Sequence, residues 1–248
     1  MSRRLFTATA LTIFAACAMT APAEAVTVSP MHVEMTSSGT RSHSTVTVVN
    51  DGAVPLPIEA VVKRMTLDET GKARTTEAGD EFLIMPPQTI IAPGATQNFR
   101  VQWLGEPMLN ASQSFYVFFN QVPVKPTTGK PNVQVVMSIG TLVNVAPPQG
   151  TAALSVVETG LTPPDKSGRR FPTVTVLNSG KVHALFTKST VRISGTGFDQ
   201  TLPPGLLGEK LGSGLVQPGA RRRFTLPVEV PANAGALRTV VDMPQKRN

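Results

Sequence analysis

The chain has 248 residues, of which 41% are hydrophobic and only 16% are charged. This length allows two ordinary domains with packed cores, and the composition argues against a disordered chain. The formal net charge is +7, but the basic residues are scattered and a single Trp and a single Tyr offer little base stacking, so we expect no nucleic-acid partner.

Residues 1–25 have the pattern of an export signal. Two arginines precede an apolar stretch over residues 5–19, and Ala23-Glu24-Ala25 is a small-x-small cleavage site. We expect cleavage after Ala25 and a mature protein in the periplasm. The apolar stretch is too short to span a bilayer and no later segment is long enough, so we expect no membrane span.

Two other interpretations of this segment remain open. Ser2-Arg3-Arg4-Leu5-Phe6 resembles a twin-arginine export signal, and Phe14-Ala15-Ala16-Cys17 resembles a lipoprotein site. Cys17 is the only cysteine of the chain. A protein cleaved after Ala25 therefore has no disulfide, no cysteine nucleophile and no thiolate metal site, and its stability must come from its cores.

An internal repeat divides the rest of the chain. Residues 45–52 (TVTVVNDG) recur as residues 173–180 (TVTVLNSG), and each copy alternates apolar residues with Thr before an Asn-x-Gly turn. A second pair follows in the same order: IAPGA at 91–95 leads to Phe99, and VQPGA at 216–220 leads to Phe224. Two pairs in one order predict tandem copies of one architecture.

Short strands are predicted between these landmarks. Residues 57–65, 114–122 and 132–145 read as strands, and no segment shows sustained helical periodicity, so the Gly-rich residues 205–214 are predicted to be a loop. About seven strands per half predict an all-β fold of two tandem immunoglobulin-like β-sandwich domains. We expect the domains at residues 26–148 and 149–248, joined by the proline-rich linker 146–150.

The sequence offers little support for catalysis. The three histidines (His32, His43 and His183) have no metal-ligand spacing, no nucleophile-elbow pattern appears, and the Gly-rich stretches lack the lysine of a phosphate loop. Asp68-Glu69-Thr70-Gly71 predicts a hairpin tip, with calcium binding as a weak alternative. We therefore expect no enzyme, no metal site and no cofactor.

The strand predicted at 132–145 has an alternating apolar face formed by Val133, Val135, Met137 and Ile139. One interpretation is a buried core strand. The other is an exposed apolar edge that pairs with a partner, because proteins normally avoid long hydrophobic edges unless strand addition is their work.

Several segments, in this order along the chain, resemble the periplasmic chaperones of the chaperone–usher pilus pathway. They are residues 28–35, 47–52, Pro86-Pro87, 91–101, 113–123 and 133–147. The resemblance implies two immunoglobulin-like domains that bind pilus or fimbrial subunits and deliver them to an outer-membrane usher. It implies that the last strand of the first domain completes the subunit's unfinished sandwich, and that two basic residues in the interdomain cleft hold the subunit's C-terminal carboxylate.

This chain departs from that pattern in the cleft. The expected arginine aligns with His32, and the expected lysine aligns with Leu142 or Val143, so the charge pair is missing. The resemblance then leaves His32, Arg64 and Arg100 as candidate anchors. The alternative function is a secreted structural or adhesive surface protein of the same fold.

Overall fold

The computed structural model describes residues 26–78, 80–123 and 136–244. The predicted export signal and the predicted partner residues Val133 and Val135 lie outside these residues. The strands of the described part are β1 (Val26–Ser29), β2 (His32–Thr36), β3 (His43–Asn50), β4 (Leu56–Leu67), β5 (Ala73–Glu77), β6 (Phe82–Met85), β7 (Gln88–Ile91), β8 (Thr96–Trp103), β9 (Gln113–Gln121), β10 (Ser138–Ala146), β11 (Leu154–Leu161), β12 (Pro172–Asn178), β13 (Ala184–Leu185), β14 (Thr190–Gly195), β15 (Phe198–Leu202), β16 (Leu215–Val216), β17 (Arg221–Thr225) and β18 (Arg238–Asp242).

The first ten strands form one sandwich. One sheet has the order β1-β3-β8-β6, and the other has the order β2-β10-β9-β4-β5, with β7 also paired to β4. Alternation along β3 and β8 points every second side chain inward, so Val46, Val48, Phe99 and Val101 are completely buried between the sheets. The predicted alternation therefore marks the core face of the first sandwich.

The remaining strands form a second sandwich with a core of its own. Its sheets have the orders β11-β12-β17 and β15-β14-β18, with β13 and β16 as a short pair. Phe186 stacks on Phe224 with ring centroids 4.3 Å apart, and both pack with Val174 and Val176. The chain is thus an all-β protein of two tandem sandwiches, while the exact boundary near residue 148 stays a prediction.

The repeated Asn-x-Gly turn has a structural task in the first sandwich. The side-chain amide of Asn50 donates to the carbonyls of Val54 and Ile91 at 2.8 and 3.0 Å, and its oxygen accepts from the Gly52 amide at 3.1 Å. Asn50 therefore joins the end of β3 to the Pro-Gly motif, which is why the two motifs occur together.

Asn178 does the same in the second sandwich. Its amide donates to the carbonyls of Val182 and Val216 at 2.9 and 3.1 Å, and its oxygen accepts from the Gly180 amide at 3.1 Å. Both asparagines are almost completely buried. The two halves of the chain thus repeat a hydrogen-bonding solution as well as a sequence pattern.

The predicted loop at residues 205–214 was wrong, since helix α1 spans Pro204–Leu211. Its two glycines, Gly205 and Gly208, hid the helical pattern because glycine is a poor helix former. The helix forms because a proline suits its first turn and because Leu207 is completely buried in the second core.

The strand predicted at residues 132–145 is only partly observed. Strand β10 runs from Ser138 to Ala146, and residues 132–135 lie outside the described part of the chain. Val136 and Met137 precede the strand, although the Gln121 amide donates to the Met137 carbonyl at 2.8 Å. The described strand is therefore shorter than the predicted one.

We expect Asn50→Ala to lower the free energy of unfolding by about 1–3 kcal/mol, because the buried Ile91 carbonyl and the partly buried Val54 carbonyl lose their donor. Asn98→Ala is the matched control, since Asn98 is an exposed residue whose side chain bonds only the Thr47 hydroxyl. Urea unfolding of the two variants measures the difference. Equal losses in both would show that the buried turn contributes no special stability.

Candidate functional site at the β10 edge and the junction of the sandwiches

The outer side of β10 is only partly covered. Strand β9 pairs with β10 from Ser138 to Val145, whereas β2 pairs with its other side only from Leu142 to Ala146. The reason is that β1 pairs with β3 in the opposite sheet, and the chain reaches β10 only after Pro30. Among the described strands, residues 138–141 therefore have one neighbour, and their outer backbone groups are free to pair.

Two of the predicted face residues lie at this edge. Ile139 is half-buried against the first core, and Met137 is half-buried beside Val26 and Leu56 at the open end of the sandwich. Val136 is 49% exposed. The edge therefore combines free backbone groups with apolar side chains that point toward the end of the sandwich.

An apolar cluster joins the two sandwiches at what we call the junction. It is formed by Met65, Leu142 and Leu215, with Leu67, Tyr116 and Leu185 packed around them. Leu142 lies opposite His32 in the pairing of β2 with β10, whereas Val143 belongs to the first core. Of the two positions where a lysine was expected, Leu142 is thus the one at the junction, and it is buried by apolar neighbours.

The predicted hairpin tip Asp68-Glu69-Thr70-Gly71 is a turn between β4 and β5 that contacts the second sandwich. The Arg223 amide donates to the Glu69 carbonyl at 2.7 Å, and the Arg223 guanidinium lies 2.8 Å from the Glu69 carboxylate. The side chain of Gln217 bonds backbone groups at the end of β4 at 2.9 Å. The tip therefore contributes to the junction.

The two arginines proposed as anchors lie in different places. Arg64 lines a cleft of about 420 Å³ between β4 and residues 217–220. Its guanidinium already bonds Gln113 at 2.8 Å and Glu81, and lies over the Phe115 ring. Arg100 is exposed on β8, in the sheet that does not contain β10, so the expectation that it lies in the cleft was wrong.

His32 belongs to a polar network at the junction. Its Nε2 lies 2.7 Å from Glu34 Oε1, and the Asn144 amide donates to the same oxygen at 3.0 Å. From the second sandwich, His183 Nε2 lies 2.7 Å from Glu34 Oε2, and His183 Nδ1 lies 3.0 Å from the Ser112 hydroxyl. One carboxylate thus connects β2, β10 and the second sandwich.

The short contacts assign the protons of this network. Burial raises the pKa of the Glu34 carboxyl, but hydrogen bonds from His183 and His32 outweigh it and hold this pKa at about 2, against an ordinary 4.5. Glu34 is therefore an acceptor only, so both imidazoles donate to it from Nε2. The Asn144 amide nitrogen is also 2.9 Å from His32 Nε2, but with a proton on that ring nitrogen the amide donates to Glu34 and not to His32. His183 Nδ1 can then accept from Ser112, whose oxygen accepts the His183 backbone N–H at 3.1 Å.

Sequence reasoning found His32 in this network but missed Glu34, Asn144 and His183. Glu34 shares a strand face with His32, and this spacing of two residues was the one available signal. His183 lies 149 residues from Glu34, a separation that no local pattern can bridge. Within the described residues, no group of His, Asp or Glu is arranged to hold a metal ion. No helix among those residues is long and apolar enough to cross a membrane.

We expect Glu34→Gln to lower the free energy of unfolding at pH 7 by about 1–2 kcal/mol, a value reduced for solvent screening. The carboxyl is ionised in the folded protein down to pH 2 but in the unfolded chain only down to 4.5. Its contribution is therefore complete above pH 4.5 and is lost as the pH falls toward 2.

Urea unfolding of the wild-type protein and the variant at pH 7 and at about pH 3 measures this dependence. The gap between the two proteins should narrow at the lower pH. A gap of constant size would mean that the Glu34 charge does not contribute. Glu229→Gln, which removes an exposed carboxylate near the far end of the second sandwich, is the control.

Comparison with known proteins connects this geometry to a family. The N-terminal domain of the pili and flagellar-assembly chaperones, the PapD N-terminal domain, matches residues 25–149, which is half of the chain. No curated protein sequence matches the chain significantly.

Solved structures share the two-sandwich fold at low sequence identity. The class 5 fimbriae chaperone CfaA has a TM-score of 0.54 at 12% identity, covering 89% of this chain and 100% of that chain. A chain from the complex of the Salmonella enterica SafA pilin with the SafB chaperone has a TM-score of 0.53 at 16% identity, covering 82% and 85%. A chain from the CsuC–CsuE chaperone–tip subunit complex of Acinetobacter baumannii has a TM-score of 0.51 at 13% identity, covering 88% and 97%. Since the family profile covers half of the chain, the chain belongs to the family of pili and flagellar-assembly chaperones.

Proposed function

We propose that this protein is a periplasmic chaperone that binds pilus or fimbrial subunits along the free edge of β10 and passes them to an outer-membrane usher. The observation that carries the proposal is the outer side of residues 138–141, which has no partner among the described strands. The predicted export signal at residues 1–25 supports a periplasmic location.

The free edge has the two properties that strand addition requires. Its backbone N–H and C=O groups supply affinity that depends little on the partner's sequence, and its alternate side chains supply specificity. In this proposal the side chains of Val133, Val135, Met137 and Ile139 fill successive pockets in the bound subunit. Met137 and Ile139 are half-buried at the open end of the first core, so an added strand would extend that core.

Two neighbouring structures support the subunit as the partner. They contain a chaperone together with a pilin or with a tip subunit. The adhesive alternative has less support, because the family profile describes assembly chaperones and covers the edge strand. Membership of a chaperone family also implies a role without catalysis.

The charged candidates contribute less to this proposal than the edge does. Arg64 is already bonded to Gln113 and Glu81, and His32 is bonded to Glu34. A subunit carboxylate would have to displace one of these bonds. We therefore propose that subunit binding depends first on β10. His32 and Arg64 play a smaller part in this proposal, because their side chains are already bonded.

We expect Met137→Asp to weaken binding of a fimbrial subunit from the same organism by tenfold or more, roughly, because strand addition would bury an unpaired carboxylate. Val136→Asp is the matched control, because this neighbouring side chain points to the opposite face and is 49% exposed. Its effect should stay within about threefold. Co-purification from the periplasm and titration of the purified proteins measure the binding.

Both variants must first show a cooperative urea transition like that of the wild-type protein, so that a loss of binding is not a loss of folding. Equal binding by the wild-type protein and a folded Met137→Asp variant would remove the β10 edge as the binding site. Equal losses of binding in both variants would mean that the subunit does not depend on the face of β10 that carries Met137, which contradicts the proposal.

A further inference from the structure

The free edge of β10 ends three residues before Asn144, whose side chain donates to a carboxylate of the protein itself. Within the described part of the chain, the outer side of β10 has no partner up to Thr141. Strand β2 pairs with it from Leu142 onward, and the Leu142 amide donates to the Met31 carbonyl at 3.0 Å. A strand added along residues 138–141 therefore lies in line with β2, and one of its ends meets the chain near His32. Glu34 lies two residues further along β2, on the same face as His32.

Three N–H groups converge on the Glu34 carboxylate. They are His32 Nε2 at 2.7 Å, Asn144 Nδ2 at 3.0 Å and His183 Nε2 at 2.7 Å. The donors come from β2, from β10 and from the second sandwich, so they converge only when both sandwiches are folded and joined. A set of converging donors of this kind is what a carboxylate ligand requires. In this protein the side chain of Glu34 takes the ligand's place.

We propose that Glu34 is a specificity-determining residue that fills this carboxylate site and excludes the C-terminal carboxylate of a bound strand. The inference rests on the proposed binding of subunits at β10. A second carboxylate at the same donors would meet like-charge repulsion and would find the N–H groups already engaged. Recognition then depends on the backbone and side chains of the added strand, and not on a free terminus at its end.

Other cations near the junction provide the competing explanation. Arg41 and Lys188 line the same cleft as Glu34. Lys63 lies across the sheet, in the cross-strand row that runs from His32 through Leu142 and Tyr116, and its ammonium is 3.2 Å from Glu77. If one of these groups held a subunit carboxylate, the wild-type protein would prefer a strand with a free terminus. The experiment separates this outcome from ours.

The test uses one peptide that copies the C-terminal strand of a fimbrial subunit from the same organism, made with a free carboxylate and with a C-terminal amide. We expect the wild-type protein to bind the two forms with dissociation constants within about twofold. In Glu34→Ala the three donors are free, so the carboxylate form should bind about tenfold more tightly than the amide form. Glu229→Ala, which removes an exposed carboxylate elsewhere, should behave as the wild-type protein does.

A second measurement needs no subunit. Sodium acetate is titrated while the ring-proton NMR signals of the three histidines are recorded, with His43 on β3 as the internal reference outside the network. In Glu34→Ala, acetate should shift the signals of His32 and His183 saturably and leave His43 unchanged. In the wild-type protein it should shift none of them. Glu34→Ser, whose short side chain also leaves the three donors free, gives a second variant should the alanine variant fold poorly.

The outcomes are distinct. If neither peptide form binds the wild-type protein, strand addition at β10 fails, and the acetate titration still decides the role of Glu34. A wild-type preference of about tenfold for the free carboxylate would overturn the inference, because the site would then accept a terminus despite Glu34. Absence of any gain in Glu34→Ala, for the peptide and for acetate alike, would also overturn it.

Discussion

Strands β1 and β2 pair with opposite sheets of the first sandwich. The residue at which the chain passes from one sheet to the other determines how much of the outer side of β10 stays available to a partner strand. Strand β1 pairs with β3, and only after Pro30 does β2 reach β10. Because β2 then covers β10 from Leu142 onward, the preceding residues 138–141 have no partner on that side among the strands that the structure describes. An edge strand is normally protected in a soluble protein, so an exposed apolar edge next to the first core is consistent with pairing as its function.

The junction holds this edge beside the second sandwich by three kinds of contact. The Met65–Leu142–Leu215 cluster removes apolar surface from water, the hairpin tip pairs Glu69 with Arg223, and Glu34 connects histidines of both sandwiches. The apolar contact allows a range of angles between the two sandwiches, whereas hydrogen bonds to one carboxylate are directional. We infer that the polar contacts select the angle at which the apolar cluster closes.

The same contacts explain how this chain differs from the pattern that its sequence resembles. A lysine at position 142 would lose the hydration of its ammonium group inside an apolar cluster, so burial at this position favours leucine. A positively charged cleft would also attract the Glu34 carboxylate, which here already accepts hydrogen bonds from Asn144 and His183. The absence of the charge pair therefore goes together with two other features of the junction, the apolar cluster around Leu142 and the hydrogen bonds to Glu34.

Much of the fold could be predicted from the sequence because its causes are local. Alternation marked the inward residues of β3 and β8, and the two Asn-x-Gly turns with their Pro-Gly partners predicted two copies of one sandwich. The structure adds why the motifs occur together, since each buried asparagine bonds the strand before its Pro-Gly turn. Helix α1 was missed because its stability comes from burying Leu207, which glycine-rich local propensity does not reveal.

The candidate site divides in the same way. The sequence by itself determined that residues around Met137 and Ile139 alternate, because alternation is a property of neighbouring residues. That His32 stands where an arginine was expected followed from the family resemblance. Only the tertiary structure decided that Arg100 lies on the other sheet and that the outer side of β10 has no partner over residues 138–141 among the described strands. It also decided that Glu34 meets His183 across 149 residues, since contacts between sandwiches follow from packing, which no local pattern encodes.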